Sequence, residues 1–96
     1  MNNMKARLLM RERRVTERGF IEVVVWGLGQ PLDGSSHHLK YRLAYVVGGE
    51  SVLRYDNESG KGDHRHCGRR ESPYVFVSVD QLLDDFVADV DQWREG

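Results

Sequence analysis

HLKYRLAYVVGGESVLRYDN, residues 38–57, decides the fold. Leu39, Tyr41, Leu43, Tyr45 and Val47 recur at every second position, with His38, Lys40 and Arg42 between the first of them. That period belongs to a β-strand with one face buried. Gly48-Gly49 marks a hairpin turn, because glycine tolerates the positive φ that tight hairpins need. SVLRYDN then returns as the partner, with Leu53 and Tyr55 on one face and Arg54 and Asp56 on the other. A strict two-residue turn sets Leu43 against Arg54. A three-residue turn with a bulge sets Leu43 against Tyr55 and Arg42 against Asp56. The second register keeps apolar with apolar and opposes unlike charges, so it is the one expected.

Upstream, residues 5–15 place Ala6, Leu8 and Met10 on one face and Lys5, Arg7, Arg11 and Arg13 on the other, with Leu9 out of pattern. FIEVVVWGL (20–28) is apolar on both faces apart from Glu22, as a central strand is. A TERG turn between them, with Gly19 free to take φ > 0, sets Arg13 against Glu22 and Met10 against Val25. GQPLDGSS (29–36) has loop composition. Downstream, GKGDHRHCGRR (60–70) contains no large apolar residue and is expected to be a loop, with SPYVFV (72–77) a short last strand begun by Pro73. In SVDQLLDDFVADVDQW, Val79, Leu82, Leu83, Phe86, Val90 and Trp93 form one helical face. Ser78 and Gln81 fit a capping box, and Val77 and Leu82 a hydrophobic staple, which predicts a helix from about Val79 to about Arg94. The expected fold is α+β: an antiparallel sheet of about five strands (β-β-β-β-loop-β), with one C-terminal amphipathic helix on one face, as a single domain over residues 1–96.

Composition bounds the function. The chain has 96 residues, 40% hydrophobic and 30% charged, and a net charge of −1. Residues 1–70 carry 13 Lys+Arg against 8 Asp+Glu, whereas residues 71–96 carry one against seven. A basic surface beside an acidic helix follows, so an anion can bind although the whole is slightly acidic. No apolar run approaches membrane-spanning length and the N-terminus lacks a signal-peptide pattern, so no membrane partner is expected. The lone Cys67 forms no internal disulfide, in keeping with a cytoplasmic location. GKG is not a P-loop, and no G-x-G-x-x-G opens a helix.

The chemistry concentrates after the hairpin. Arg54, Asp56, Asn57, Lys61, Asp63, His64, Arg65 and His66 follow one another closely, and the hairpin register brings His37, His38 and Arg42 to the same end of the sheet. Metal-free RNA cleavage needs a base for the 2′-hydroxyl, an acid for the leaving 5′-oxygen and cations for the phosphorane-like transition state. Histidine suits both proton roles and arginine grips phosphate. Surface loops collect such residues freely, however, and a non-catalytic nucleic-acid- or protein-binding module uses the same set. A metal-dependent hydrolase using the same histidines is the other alternative, and a metal site would draw on His64 and His66 with Asp63, Cys67, or His37 and His38. One cysteine, with no HExxH and no Cys-x-x-Cys, argues against structural zinc. No metal and no cofactor are expected, and Cys67 is read as a spectator.

The block YRLAYVVGGESVLRYDNESGKGDHRHCGRRESPYVFVSVDQLLDDF resembles the TumE-type toxins, small bacterial proteins. The matching pieces are Arg54-Tyr55-Asp56-Asn57, His64-Arg65-His66, Tyr74 and Phe76, and Leu82 to Phe86, with KARLL, FIEVVVW and SSHHLKYRL upstream. The resemblance implies a type II toxin–antitoxin toxin, a helix-turn-helix antitoxin of the TumA type, and endoribonuclease activity on RNA, free or on the ribosome. By motif it implies Asp56, Asn57, His64 and His66 as site residues, with Arg54, Lys61 and Arg65 on phosphate. Taken with the residue reading, His64, His66 and Asp56 are the expected catalytic groups. Arg54, Asn57, Lys61, Arg65, Arg42, His37 and His38 are the expected RNA contacts. The copy number stays open between monomer and homodimer.

Overall fold

A computed structural model describes residues 5–94. Six strands follow in sequence order: β1 (Ala6–Val15), β2 (Gly19–Leu28), β3 (Leu39–Val47), β4 (Glu50–Glu58), β5 (Gly62–Cys67) and β6 (Arg70–Pro73). They form one antiparallel meander, each strand paired with its sequence neighbour. One helix, α1 (Val79–Gln92), closes the chain and packs on one face, giving the α+β architecture expected.

The two expected registers hold. Arg13 faces Glu22 and Met10 faces Val25, while Arg42 faces Asp56 and Leu43 faces Tyr55. The devices differ from those expected. Gly48 and Gly49 both take positive φ (59° and 81°), so the β3–β4 turn has two residues. The register is restored by a bulge inside the strands: Tyr45 faces Leu53 but Val46 faces Ser51, leaving Val52 over. A second bulge, between Leu8 and Met10, accounts for the out-of-pattern Leu9. Gly19 does not take positive φ. Glycine fits there because a Cβ would collide with the Val46 carbonyl across the β2–β3 pair.

The strand count is six rather than five. The stretch expected as a loop is the β5–β6 hairpin, turned by Gly68 (φ 62°) and Arg69. Of residues 72–77, expected as the last strand, Ser72 and Pro73 end β6, while 74–78 connect β6 to α1, with the Tyr74 amide donating to the Asp63 carbonyl (3.0 Å). β5 was hidden because it carries polar side chains on both faces. It is held by backbone pairing with β4 and by ion pairs instead of apolar burial.

The core lies between the sheet and α1. Val23, Val25, Tyr41, Leu43, Tyr45, Leu53 and Tyr55 supply the sheet side and Leu82 and Phe86 the helix side, all buried. Ser78 caps α1, its hydroxyl accepting from the Gln81 amide (3.1 Å). Val77 is 70% exposed, so the expected staple to Leu82 is not made. Among the described residues, no helix packs on the other sheet face, and strand alternation places Lys40, Arg42, Arg54, Asp56, His64, His66 and Glu71 on it. Among the described residues, no helix is long and apolar enough to cross a membrane.

Candidate active site

The residues singled out in the sequence separate onto opposite faces of the sheet. β5 alternates, so His64 and His66 point to the open face while Asp63, Arg65 and Cys67 point toward the helix. The partner strand does the same: Arg54 and Asp56 point outward, Tyr55 and Asn57 inward.

On the open face the register builds a compact cluster. Asp56 lies opposite His64, Arg54 opposite His66, and Glu71 of β6 opposite His66 on the far side. The His66 Nε2 lies 3.2 Å from Arg54 Nη2, 3.2 Å from Glu71 Oε2 and 3.6 Å from Asp56 Oδ1. One nitrogen cannot serve all three. Protonated, it donates to a carboxylate; unprotonated, it accepts from the guanidinium. Arg54 Nε sits 3.1 Å from Asp56 Oδ2, out of line for a hydrogen bond, so its proton is buried without a partner. The His64 Nε2 donates to the Lys61 carbonyl (2.6 Å), which leaves Nδ1 as a buried acceptor with no partner. The two imidazole centres are 6.4 Å apart. Arg42, exposed, stands beside Asp56 on β3. His38 is exposed just before β3, in step with Lys40 and Arg42. Lys61 is exposed in the β4–β5 turn, its Nζ 3.9 Å from Glu58.

The inward-facing residues are engaged in holding the fold. His37 Nε2 donates to Asp63 (2.9 Å), and its Nδ1 accepts from the Leu39 amide (3.2 Å), so neither ring nitrogen is free. Phe76 lies against the same imidazole, with centroids 4.2 Å apart, and Tyr41 donates to Asp63 at 2.8 Å. Burial, then the hydrogen bond to Asp63 and its charge, raise the Tyr41 phenol well above the ordinary range. Gly60 donates to the Asp33 carbonyl (2.7 Å), so the 29–38 loop is strapped to the β4–β5 turn by backbone as well. Asn57, 1% exposed, accepts from the Tyr41 amide (2.9 Å) and donates to the Leu39 carbonyl (2.8 Å). Its amide continues the β3–β4 ladder beyond Arg42–Asp56, where backbone pairing ends.

Arg65 lies under the helix. Its Nε donates to Asp89 (2.6 Å) and approaches the Tyr55 hydroxyl (3.1 Å), which itself donates to Asp89 (2.5 Å). The hydrogen bond to Asp89 raises the guanidinium further above its already high range. Burial pushes the Asp89 carboxyl up, but the hydrogen bonds from Arg65 and Tyr55 and the Arg65 charge outweigh it, and the net shift is downward. Tyr55 is raised by burial and by Asp89, with Arg65 opposing. Tyr74 donates to Asp85 (2.6 Å) and is raised by burial and that bond. Three side chains of the sheet and its connector thus fasten α1 through two of its aspartates.

The structure therefore gathers Arg42, Arg54, Asp56, His64 and His66 on one face, with His38 and Lys61 at its margin. It sets His37, Asn57 and Arg65 on the other. Glu71 was missed in the sequence, although Gly68-Arg69 read as a two-residue turn would have placed it opposite His66. Cys67 is half-buried and free. Among the described residues, no three or more of His, Cys, Asp and Glu are grouped to hold a metal ion.

No curated protein and no solved structure matches the chain. The family described as Toxin TumE matches residues 4–94, nearly the whole length. A toxin of this kind implies an antitoxin as its partner. With the hairpin, the Arg54–Asn57 run and the His64–His66 pair all inside the matched span, the chain belongs to the TumE toxin family.

Proposed function

We propose that this toxin acts on RNA as a metal-independent endoribonuclease of a type II toxin–antitoxin system, using the open face of β3–β5. The observation that carries the reading is the His66 cluster: an imidazole nitrogen within 3.2 Å of both Arg54 and Glu71 and 3.6 Å from Asp56, on a sheet face no helix covers. His66 and His64, 6.4 Å apart, are close enough for one phosphodiester to lie against both. One imidazole takes the proton of the 2′-hydroxyl as O2′ bonds to phosphorus. The other gives a proton to O5′ as the P–O5′ bond breaks. The products are a 2′,3′-cyclic phosphate and a 5′-hydroxyl, and proton and electron pairs balance without a co-reactant.

Asp56 orients His66 and holds Arg54 in place. Arg54 and Arg42 stabilise the phosphorane charge, and Lys61 and His38 contact the strand on either side. His64 joins the reaction when the β4–β5 turn releases its Nε2 from the Lys61 carbonyl. His37, Asn57 and Arg65 support the site from the opposite face, and no cofactor takes part. The same engaged nitrogen of His64 favours a second reading, an RNA-binding module that blocks without cutting. The substrate is RNA, free or on the ribosome. The antitoxin is a helix-turn-helix protein of the TumA type that covers the basic face with an acidic or apolar segment.

The test is expression with and without the adjacent antitoxin gene, followed by growth measurement and sequencing of RNA ends. The nuclease reading requires growth arrest with new RNA ends, relieved by the antitoxin. Growth arrest with intact RNA selects the binding module instead.

A further inference from the structure

β2 is apolar on both faces, yet among the described residues a helix covers only one of them. Val23 and Val25 belong to the core under α1, so Phe20, Glu22, Val24 and Trp26 take the open face. All four are half-buried. Trp26 lies between Leu8 of β1, 46% exposed, and Lys40 of β3. Val24 lies between Arg11 and Arg42. Glu22 has Arg13 beside it, and the Arg13 guanidinium stands 4.0 Å from the centre of the Phe20 ring. The other tryptophan, Trp93, is packed edge-on against Tyr45 on the helix side.

An apolar, aromatic stripe on β2 thus runs between two rows of cations. Arg11 and Arg13 on β1 and Lys40 and Arg42 on β3 are all exposed. Glu22 is the only carboxylate on that face among the described residues of β1–β3. The His66 cluster has no such excess, because Arg54 is balanced by Asp56 and Glu71. The charge that attracts a polyanion therefore sits beside the cluster rather than in it. Arg42 joins the two, since it lies opposite Val24 on one side and Asp56 on the other. Three strand spacings and one two-residue step separate Trp26 from His64, about 16 Å in all.

We propose that this stripe binds single-stranded RNA next to the scissile bond, an assignment that rests on the RNA reading of the same open face. A base stacks on the Trp26 indole beside Leu8 and Val24, while Lys40 and Arg11 contact the phosphates on either side. Arg42 leads the strand on to the His66 cluster. At about 16 Å from His64, the stacked base belongs to a neighbouring nucleotide and not to the one cleaved. Duplex RNA does not fit this role, since its base faces are already stacked on one another. An apolar partner surface would leave four cations buried without counter-charges, whereas each phosphate of a strand brings one.

Trp93→Phe leaves Trp26 as the single tryptophan, and its fluorescence then reports the stack. With His66→Ala added to prevent cleavage, a single-stranded RNA oligonucleotide should quench that emission and a duplex of the same sequence should not. Anisotropy of a labelled oligonucleotide over a range of salt gives the affinity. Trp26→Ala should weaken binding by about 5- to 100-fold, and Trp26→Phe should keep most of it. Arg11→Ala and Lys40→Ala should each reduce the slope of log affinity against log salt by about 0.7. Both positions are exposed, so they test the stripe even if Trp26→Ala fails to fold. Strand binding with unchanged emission, or with Arg11→Ala and Lys40→Ala both as tight as the wild type, overturns the assignment and leaves the RNA reading of the His66 cluster standing. A duplex that binds as tightly and quenches as much overturns it too. If the wild type neither binds nor cuts RNA, both readings fall. Variants that lose the antitoxin complex while binding RNA as before assign the stripe to that partner instead.

Discussion

Replacing Asn57 by alanine separates scaffold from site, because Asp56, its chain neighbour, points the other way. The side chain is 1% exposed and satisfies two backbone groups, the Tyr41 N–H and the Leu39 carbonyl. Alanine leaves both buried without a partner. Each such orphan costs about 1–3 kcal/mol, so the pair costs about 2–4 kcal/mol after partial relaxation. Against a total of about 5–15 kcal/mol for a small domain, that is a large share. The corresponding fall in the thermal midpoint is roughly 10–30 °C for a chain this size. Urea unfolding followed by circular dichroism reads the change, with the slope expected to match the wild type. Asp56→Asn should cost less stability than Asn57→Ala, yet remove more activity at a temperature where both variants are folded. If Asn57→Ala lost under about 1 kcal/mol while abolishing toxicity, Asn57 would be a substrate contact and the assignment of faces would be wrong.

Other expectations follow from the same geometry. The lowered Asp89 pKa means that its ion pair with Arg65 stabilises the fold above the unfolded carboxyl value and loses that contribution as pH falls through the lower folded value. The stability gap between wild type and Asp89→Asn should therefore be full at pH 7 and shrink below about pH 4, read by urea unfolding at both. Tyr41, Tyr55 and Tyr74 are raised, so their contribution is intact below about pH 10 and is lost as pH rises through their higher folded values. Tyrosinate absorbance should appear for them together with unfolding, and early ionisation in the folded protein would contradict the burial described. Glu71→Gln keeps the size of the side chain but removes a carboxylate 3.2 Å from His66. It should shift the pH–rate profile of cleavage with little change in stability, whereas an unchanged profile would remove Glu71 from the site.

Much of this architecture is legible in the sequence because apolar periodicity carries it. The alternation of Leu39 to Val47 and the helical spacing of Leu82, Phe86 and Trp93 are signals of burial, and burial sets the register. β5 and β6 have no such signal. Gly62–Cys67 reads as a polar loop because Asp63 and Arg65 face inward onto Tyr41 and His37, and onto Tyr55 and Asp89. Each partner comes from another element, Asp89 from 24 residues away. The division of the site follows from the same cause. His64, Arg65 and His66 are adjacent in a motif, but only a strand sends the middle residue to the opposite face. Asp56, His64 and His66 could be picked out as candidates from residue type, while the structural use of His37 and Arg65 required knowing where they point.

The most direct measurement is digestion of a defined RNA by the purified protein in excess chelator, with the product ends identified by mass spectrometry. The account predicts 2′,3′-cyclic phosphate and 5′-hydroxyl ends at a rate the chelator does not change. It also predicts that His66→Ala lowers that rate by about 10²–10⁴. Ends bearing 3′-hydroxyl and 5′-phosphate, activity that disappears with chelator, or His66→Ala cutting as fast as the wild type would contradict it.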